Sequence, residues 1–145
     1  MNNAVIRLSY QPPVHGWLLL RLTVNENTVE IDASDVRNNP VKDLVTALAL
    51  IATGAPACIW WHLEPDGYFM HFTPKGDSVV LRVDFAVGSE KRRARHVLQV
   101  EGSRKAILLP LWRFVREFES HAFTAQHWPL IDYSGMAKVK ANISR

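Results

Sequence analysis

Between Trp17 and Val24 apolar and polar side chains alternate. Leu18, Leu20, Leu22 and Val24 fall on one side, and Trp17, Leu19, Arg21 and Thr23 on the other. A period of two residues is that of a strand with one buried face. Ala4 to Tyr10 alternates in the same way and is stopped by Gln11-Pro12-Pro13. After the tight turn Asn25-Glu26-Asn27, Thr28 to Ala33 places Val29 and Ile31 inward and Glu30 and Asp32 outward. The pattern predicts an opening antiparallel meander.

The period then changes. Val41, Leu44, Val45, Leu48, Ile51 and Ala52 recur at helical spacing on one side. Asn39 is suited to cap that helix, Pro40 to its first position, and Gly54 to the residue beyond its end. Arg95 to Glu101 reads as a strand, and Lys105 to Leu109 as a further strand or a lead-in to a second helix. Pro110 is expected to open that helix, because proline is tolerated in a first turn and not in an interior. Leu111, Phe114, Val115 and Phe118 mark its buried side. From Phe123 to Tyr133, around Trp128-Pro129-Leu130, the chain is expected to pack irregularly on the body. The basic residues 138–145 are expected to fray, leaving residues 1–137 as one α+β domain.

The stretch Ala57 to Ala86 holds three apolar-rich runs separated by Glu64-Pro65-Asp66-Gly67 and Thr73-Pro74-Lys75-Gly76. Proline followed by glycine suits a three-residue hairpin loop with a bulge at the glycine. That register pairs Glu64 with Tyr68, Trp60 with Phe72, and Thr73 with Asp77. One face then holds Ile59, Trp61, Leu63, Phe69, His71, Val79, Leu81, Val83 and Phe85, and is core. His71 there is expected to be a hydrogen-bonded core histidine, and Cys58, on the other face, a buried small hydrophobe. That other face also carries Trp60, His62, Tyr68, Met70, Phe72 and Arg82. Either it is covered, by curling of the sheet or by the tail around Trp128, or it is a partner or self-association surface, since Trp, Tyr, Met and Arg are enriched at interface cores. The fold class expected is α+β: an antiparallel sheet of about six or seven strands in two meanders, with two helices on one face.

Composition narrows the classes. The chain has 145 residues, 48% of them hydrophobic and 21% charged, as in an ordinary folded domain. No apolar run reaches the roughly 18 residues of a membrane-spanning helix. Leu18-Leu19-Leu20 is too short for a secretory signal, and one cysteine suits a reducing compartment, so a cytoplasmic location is expected. The net charge of +3 is mild. Lys91, Arg92, Arg93 and Arg95 form a basic cluster. They suggest an alternative role as a weak nucleic-acid binder, with Trp60 and Phe72 as stacking platforms.

Catalytic chemistry leaves little trace. The chain contains no G-x-S-x-G, G-x-G-x-x-G, Walker A or H-E-x-x-H pattern. The predicted register sends His62 and His71 to opposite faces and leaves Cys58 too far from His62 to share one metal, so neither a metal nor a cofactor is expected.

Gly16-Trp17, the helix ending before Gly54, the segment CIWWHLEPDGYFMHF, and the helix with Leu111, Phe114 and Phe118 followed by Trp128-Pro129-Leu130 together form a pattern. It resembles that of a group of small uncharacterised bacterial proteins, some of the kind encoded beside polymorphic toxin genes as immunity proteins. The resemblance implies a bacterial α+β domain that binds another protein, and no site residue is carried over from it. The function expected is thus a non-enzymatic protein-binding domain using Trp60, His62, Tyr68, Met70, Phe72 and Arg82. Its partner would be a toxin domain or a second copy of the chain. The alternative is a ligand-binding domain or enzyme with a pocket between sheet and helices, lined by His71 or Tyr68.

Overall fold

The computed structural model describes residues 4–89 and 93–143. Among these residues the chain forms β1 (Ile6–Tyr10), β2 (Trp17–Val24), β3 (Asn27–Ser34), α1 (Pro40–Ala52), β4 (Ala57–His62), β5 (Gly67–Lys75), β6 (Ser78–Ala86), β7 (Arg95–Ser103), α2 (Arg104–Ser120) and α3 (Met136–Ile143). The class is α+β, as expected, but the strands form two antiparallel sheets, β1-β2-β3 and β4-β5-β6-β7, and the helices number three. The two sheets adjoin at β3 and β4. Asn38 Nδ2 donates to the Trp60 carbonyl in β4 at 2.8 Å.

The first sheet follows its sequence pattern. Leu18, Leu20 and Leu22 are fully buried and pair across the ladder with Ala33, Ile31 and Val29, all buried as well. The outward positions carry the cross-strand pair Arg21–Glu30 at 3.1 Å. α1 also follows its pattern. Asn39 Oδ1 accepts from the amides of Val41 and Lys42 at 3.2 Å each, satisfying two donors that a helix start leaves open. Gly54, at φ 94°, donates back to the Ile51 carbonyl and closes the other end. All six residues of the predicted apolar stripe are buried.

α2 starts earlier than its proline suggests. Ser103 Oγ accepts from the Ala106 amide at 3.1 Å and caps a helix in which Pro110 is internal. An internal proline costs about 3 kcal/mol. Burying Ile107 and Leu108 in the turn before it returns roughly 1.5–3 kcal/mol each, which decides the outcome. The segment from 138 is not frayed as far as residue 143. In α3 Met136, Val139 and Ile143 lie at helical spacing, are buried, and pack against α1 and α2. Trp112 Nε1 donates to the Met136 carbonyl at 3.1 Å and anchors the start of α3.

The second meander differs from expectation in register. Trp60 pairs with Phe69, Trp61 with Tyr68, and His62 with Gly67, so a loop of four residues, Leu63–Asp66, joins β4 to β5. Glu64 takes φ 63° within it, and the Leu63 amide donates to the Asp66 carbonyl at 2.6 Å. Lys75 pairs with Ser78 across a loop of two residues, Gly76 and Asp77. Both turns are shifted by three residues from the predicted pairing. An odd shift moves every side chain of one strand to the opposite face. The faces of β4 and β6 therefore stand as predicted, and that of β5 is reversed.

Both sheets turn their apolar faces to one core shared with the helices. On the second sheet those inward positions are Ile59 and Trp61, Met70 and Phe72, Val79, Leu81 and Val83, and Leu98 and Val100. The outward face is left to other residues.

Candidate functional site

Strand pairing lays the outward face of β4–β7 out as a grid. One row runs Trp60, Phe69, Asp84, His96; the next runs Cys58, His71, Arg82, Gln99; the third holds Thr73, Val80 and Glu101. The first row depends on an irregularity. The β6–β7 register shifts between Val83 and Asp84: Leu98 pairs with Val83, but His96, not Val97, pairs with Asp84. An extra residue in one strand of a ladder re-aims the side chains beyond it. Here it places an imidazole, in place of a valine, opposite a carboxylate.

Asp84 is the centre of the face. Its side chain is only 8% exposed, although it points away from the core. Arg82 Nε donates to Asp84 Oδ1 at 2.9 Å. His71 Nε2 stands 3.6 Å from Oδ2, and His96 Nδ1 3.7 Å from Oδ1. A screened carboxylate is costly unless paired; the Arg82 guanidinium supplies that pairing, and the two histidine rings stand beside it. The two imidazoles flank opposite oxygens of the carboxylate. Among the described residues no set of three or more His, Cys, Asp or Glu side chains is grouped to hold a metal ion.

Over β5 to β7 this face is concave. A groove of about 490 Å3, open to solvent, is lined by Phe69, His71, Thr73, Val80, Arg82, Asp84, Ala94 and Gln99. Phe69 and Val80 make its apolar wall, and the remaining polar groups line the rest. Its wall continues into an aromatic row: Trp60 and Phe69 have ring centroids 4.5 Å apart, and Phe69 and His71 5.9 Å. Trp60 Nε1 donates to His62 Nδ1 at 3.1 Å. His62 is buried, and burial lowers its pKa below 6.5; the Arg37 charge adds to the effect and Glu64 opposes it.

The predicted site residues divide accordingly. Trp60, His62 and Arg82 share the outward face, as expected. Met70 and Phe72 are buried in the core, and Tyr68 lies at the inner edge against Phe85, 5.2 Å between centroids. These three are corrected by the reversed face of β5. His71 is corrected too: it is part-exposed on the groove, not in the core. Cys58 is exposed. Of the basic cluster, Arg93 and Arg95 are exposed, and Arg95 stacks over the Phe85 ring at 5.3 Å; Lys91 and Arg92 lie outside the described residues. Phe72, the second stacking platform of the nucleic-acid reading, is 1% exposed and cannot meet a base.

Phe69, Asp84, His96, Thr73 and Gln99 were absent from the predicted site. The alternation Val80, Arg82, Asp84 in β6 is a visible signal for a polar outward row, whereas His96 could not be placed without the bulge. No protein-family model matches the chain, and neither does any curated protein or solved structure.

Proposed function

We propose that this chain is a protein-binding domain whose partner docks on the outward face of β4–β7. The observation that carries this reading is the open groove of about 490 Å3 on a sheet face that, among the described residues, no helix covers. It combines an apolar wall, Phe69 and Val80, with the charged and polar groups of Arg82, Gln99 and Thr73. Interface cores have that mixture, with aromatics and arginine enriched. Being open to solvent, the groove admits a side chain projecting from a partner surface. The alternative pocket between sheet and helices has no comparable support, since the inner face of the sheet is occupied by core side chains.

The charge narrows the partner. At +3 the chain is matched by an acidic surface, which would steer association and set orientation. An immunity-type inhibitor of a bacterial toxin is the specific form that the sequence resemblance suggests. Nuclease inhibitors imitate an acidic substrate, so a basic inhibitor fits a toxin of another class.

A photo-crosslinking amino acid at Val80, with a control at Thr23 on the outward face of the first sheet, tests the reading in cells of the source organism. A discrete adduct with one acidic protein from position 80 and none from position 23 is the expected result. Adducts of equal pattern from both positions would overturn it. An adduct of the chain with itself at position 80 would replace the partner by a second copy.

A further inference from the structure

The geometry points to a carboxylate-binding subsite in the groove, built on the Arg82 guanidinium: it takes an acidic group of the ligand while Phe69 and Val80 receive the apolar body attached to it. The inference rests on the binding role proposed above and specifies the chemistry of that surface.

Arg82 is held from behind. Asp84, nearly closed to solvent, accepts from Nε at 2.9 Å, and the arginine side chain is 49% exposed. Nε faces one edge of the guanidinium, so the bond fixes its plane and leaves the terminal nitrogens as a donor pair. A fixed planar fork recognises a carboxylate through two parallel bonds. Because the arginine is already immobilised, less rotamer entropy is lost on binding. Asp84 itself is shielded by His71 and His96 on its two oxygens.

The neighbours complete the subsite. Gln99 sits directly across the ladder from Arg82, and Thr73 across from Val80. Their amide and hydroxyl are hydrogen-bond donors lining the same groove. Phe69 and Val80 supply the apolar side of a space whose volume, about 490 Å3, admits a ring or a branched chain beside the acid group. The sheet fixes the relative positions of all five residues.

Titration of the protein with phenylacetate, followed by backbone and side-chain nitrogen–proton spectra, tests the inference without a partner. The expected result is saturable shifts at Gln99, Thr73 and the Arg82 guanidinium at millimolar acid, with no response to the neutral phenylacetamide. Arg82→Gln should weaken binding about tenfold or more, the scale of a lost charge-assisted bond. Because that variant also leaves Asp84 without its main partner, Val80→Asp serves as a second one. It keeps both Arg82 and Asp84 and should abolish binding, because its carboxylate stands two residues from Arg82 on the same face and competes with or repels the acid. Equal response to acid and amide, or unchanged binding by Val80→Asp, would overturn the inference. Phenylacetate binding without any cross-linked partner would retire the protein-partner reading and leave the subsite standing. A cross-linked partner without a phenylacetate response would retire the subsite alone.

Discussion

The indole of Trp60 donates to His62 Nδ1 at 3.1 Å, next to each other on the same face of β4. This bond requires a lone pair on Nδ1 and therefore assigns the proton of the neutral ring to Nε2. A second proton on His62 would turn Nδ1 into a donor and break the contact. Burial and the Arg37 charge act in the same direction, lowering the pKa below 6.5.

A pH dependence of stability follows. The unfolded histidine takes up a proton as pH falls through about 6.5, while the folded one does not until lower pH. In that window the unfolded state binds more protons, so folding stability falls with pH. The urea midpoint should therefore decrease from pH 7.5 to pH 5.5, and the decrease should be smaller in His62→Gln. An equal decrease in the variant would remove His62 as the cause.

A second long-range bond makes the α1 cap a tertiary feature. Trp128 Nε1 donates at 3.1 Å to the same Asn39 Oδ1 that caps the helix. Asn39→Ala removes a cap worth about 0.5–2 kcal/mol. It also leaves a buried indole N–H unpaired, at a further cost of about 1–3 kcal/mol. Chemical denaturation should show a loss larger than the cap alone. In a cycle with Trp128→Phe the two losses should be non-additive, with coupling of about 0.5 kcal/mol or more.

Gly67 is required by a close approach. A methyl group there would meet the Trp61 carbonyl and stand 2.5 Å from Trp60 Cη2. The carbonyl belongs to the β4 backbone and the indole is packed on Phe69, so neither gives way easily. Gly67→Ala should destabilise the protein by about 1–3 kcal/mol, the range for overpacking, with a lower thermal midpoint. A neutral result would argue against the β4–β5 register.

The reversed face of β5 has its own test. Phe72→Ala empties a core position and should cost about 3–5 kcal/mol. Val80→Ser, on the groove, should stay within about 0.5 kcal/mol of the parent in the same urea titration. Reversal of that order would restore the predicted register, with Phe72 on the surface.

Much of the fold was legible in the sequence. Leu18, Leu20 and Leu22 alternate with polar or mixed residues, so one period fits and one face results. Asn39, Pro40 and Gly54 delimit α1 because capping is a matter of adjacent backbone groups. In β5, by contrast, Phe69, Met70, His71 and Phe72 are apolar or aromatic at successive positions. Neither face is then marked, and turn residues alone had to set the register. They fixed where the chain reverses but not by how many residues.

The sequence by itself determined the α+β class, the capped first helix, the strands and the apolar stripes, because each follows from residues within a few positions of one another. Only the tertiary structure decided that the strands split into two sheets, that Met70 and Phe72 point inward, and that Phe69, His71, Arg82, Asp84 and His96 meet on one face. The last two outcomes depend on the parity of a loop length and on one extra residue opposite Asp84. Each is a small local choice whose energy is set by partners far along the chain, and one residue of register exchanges the buried face for the exposed one.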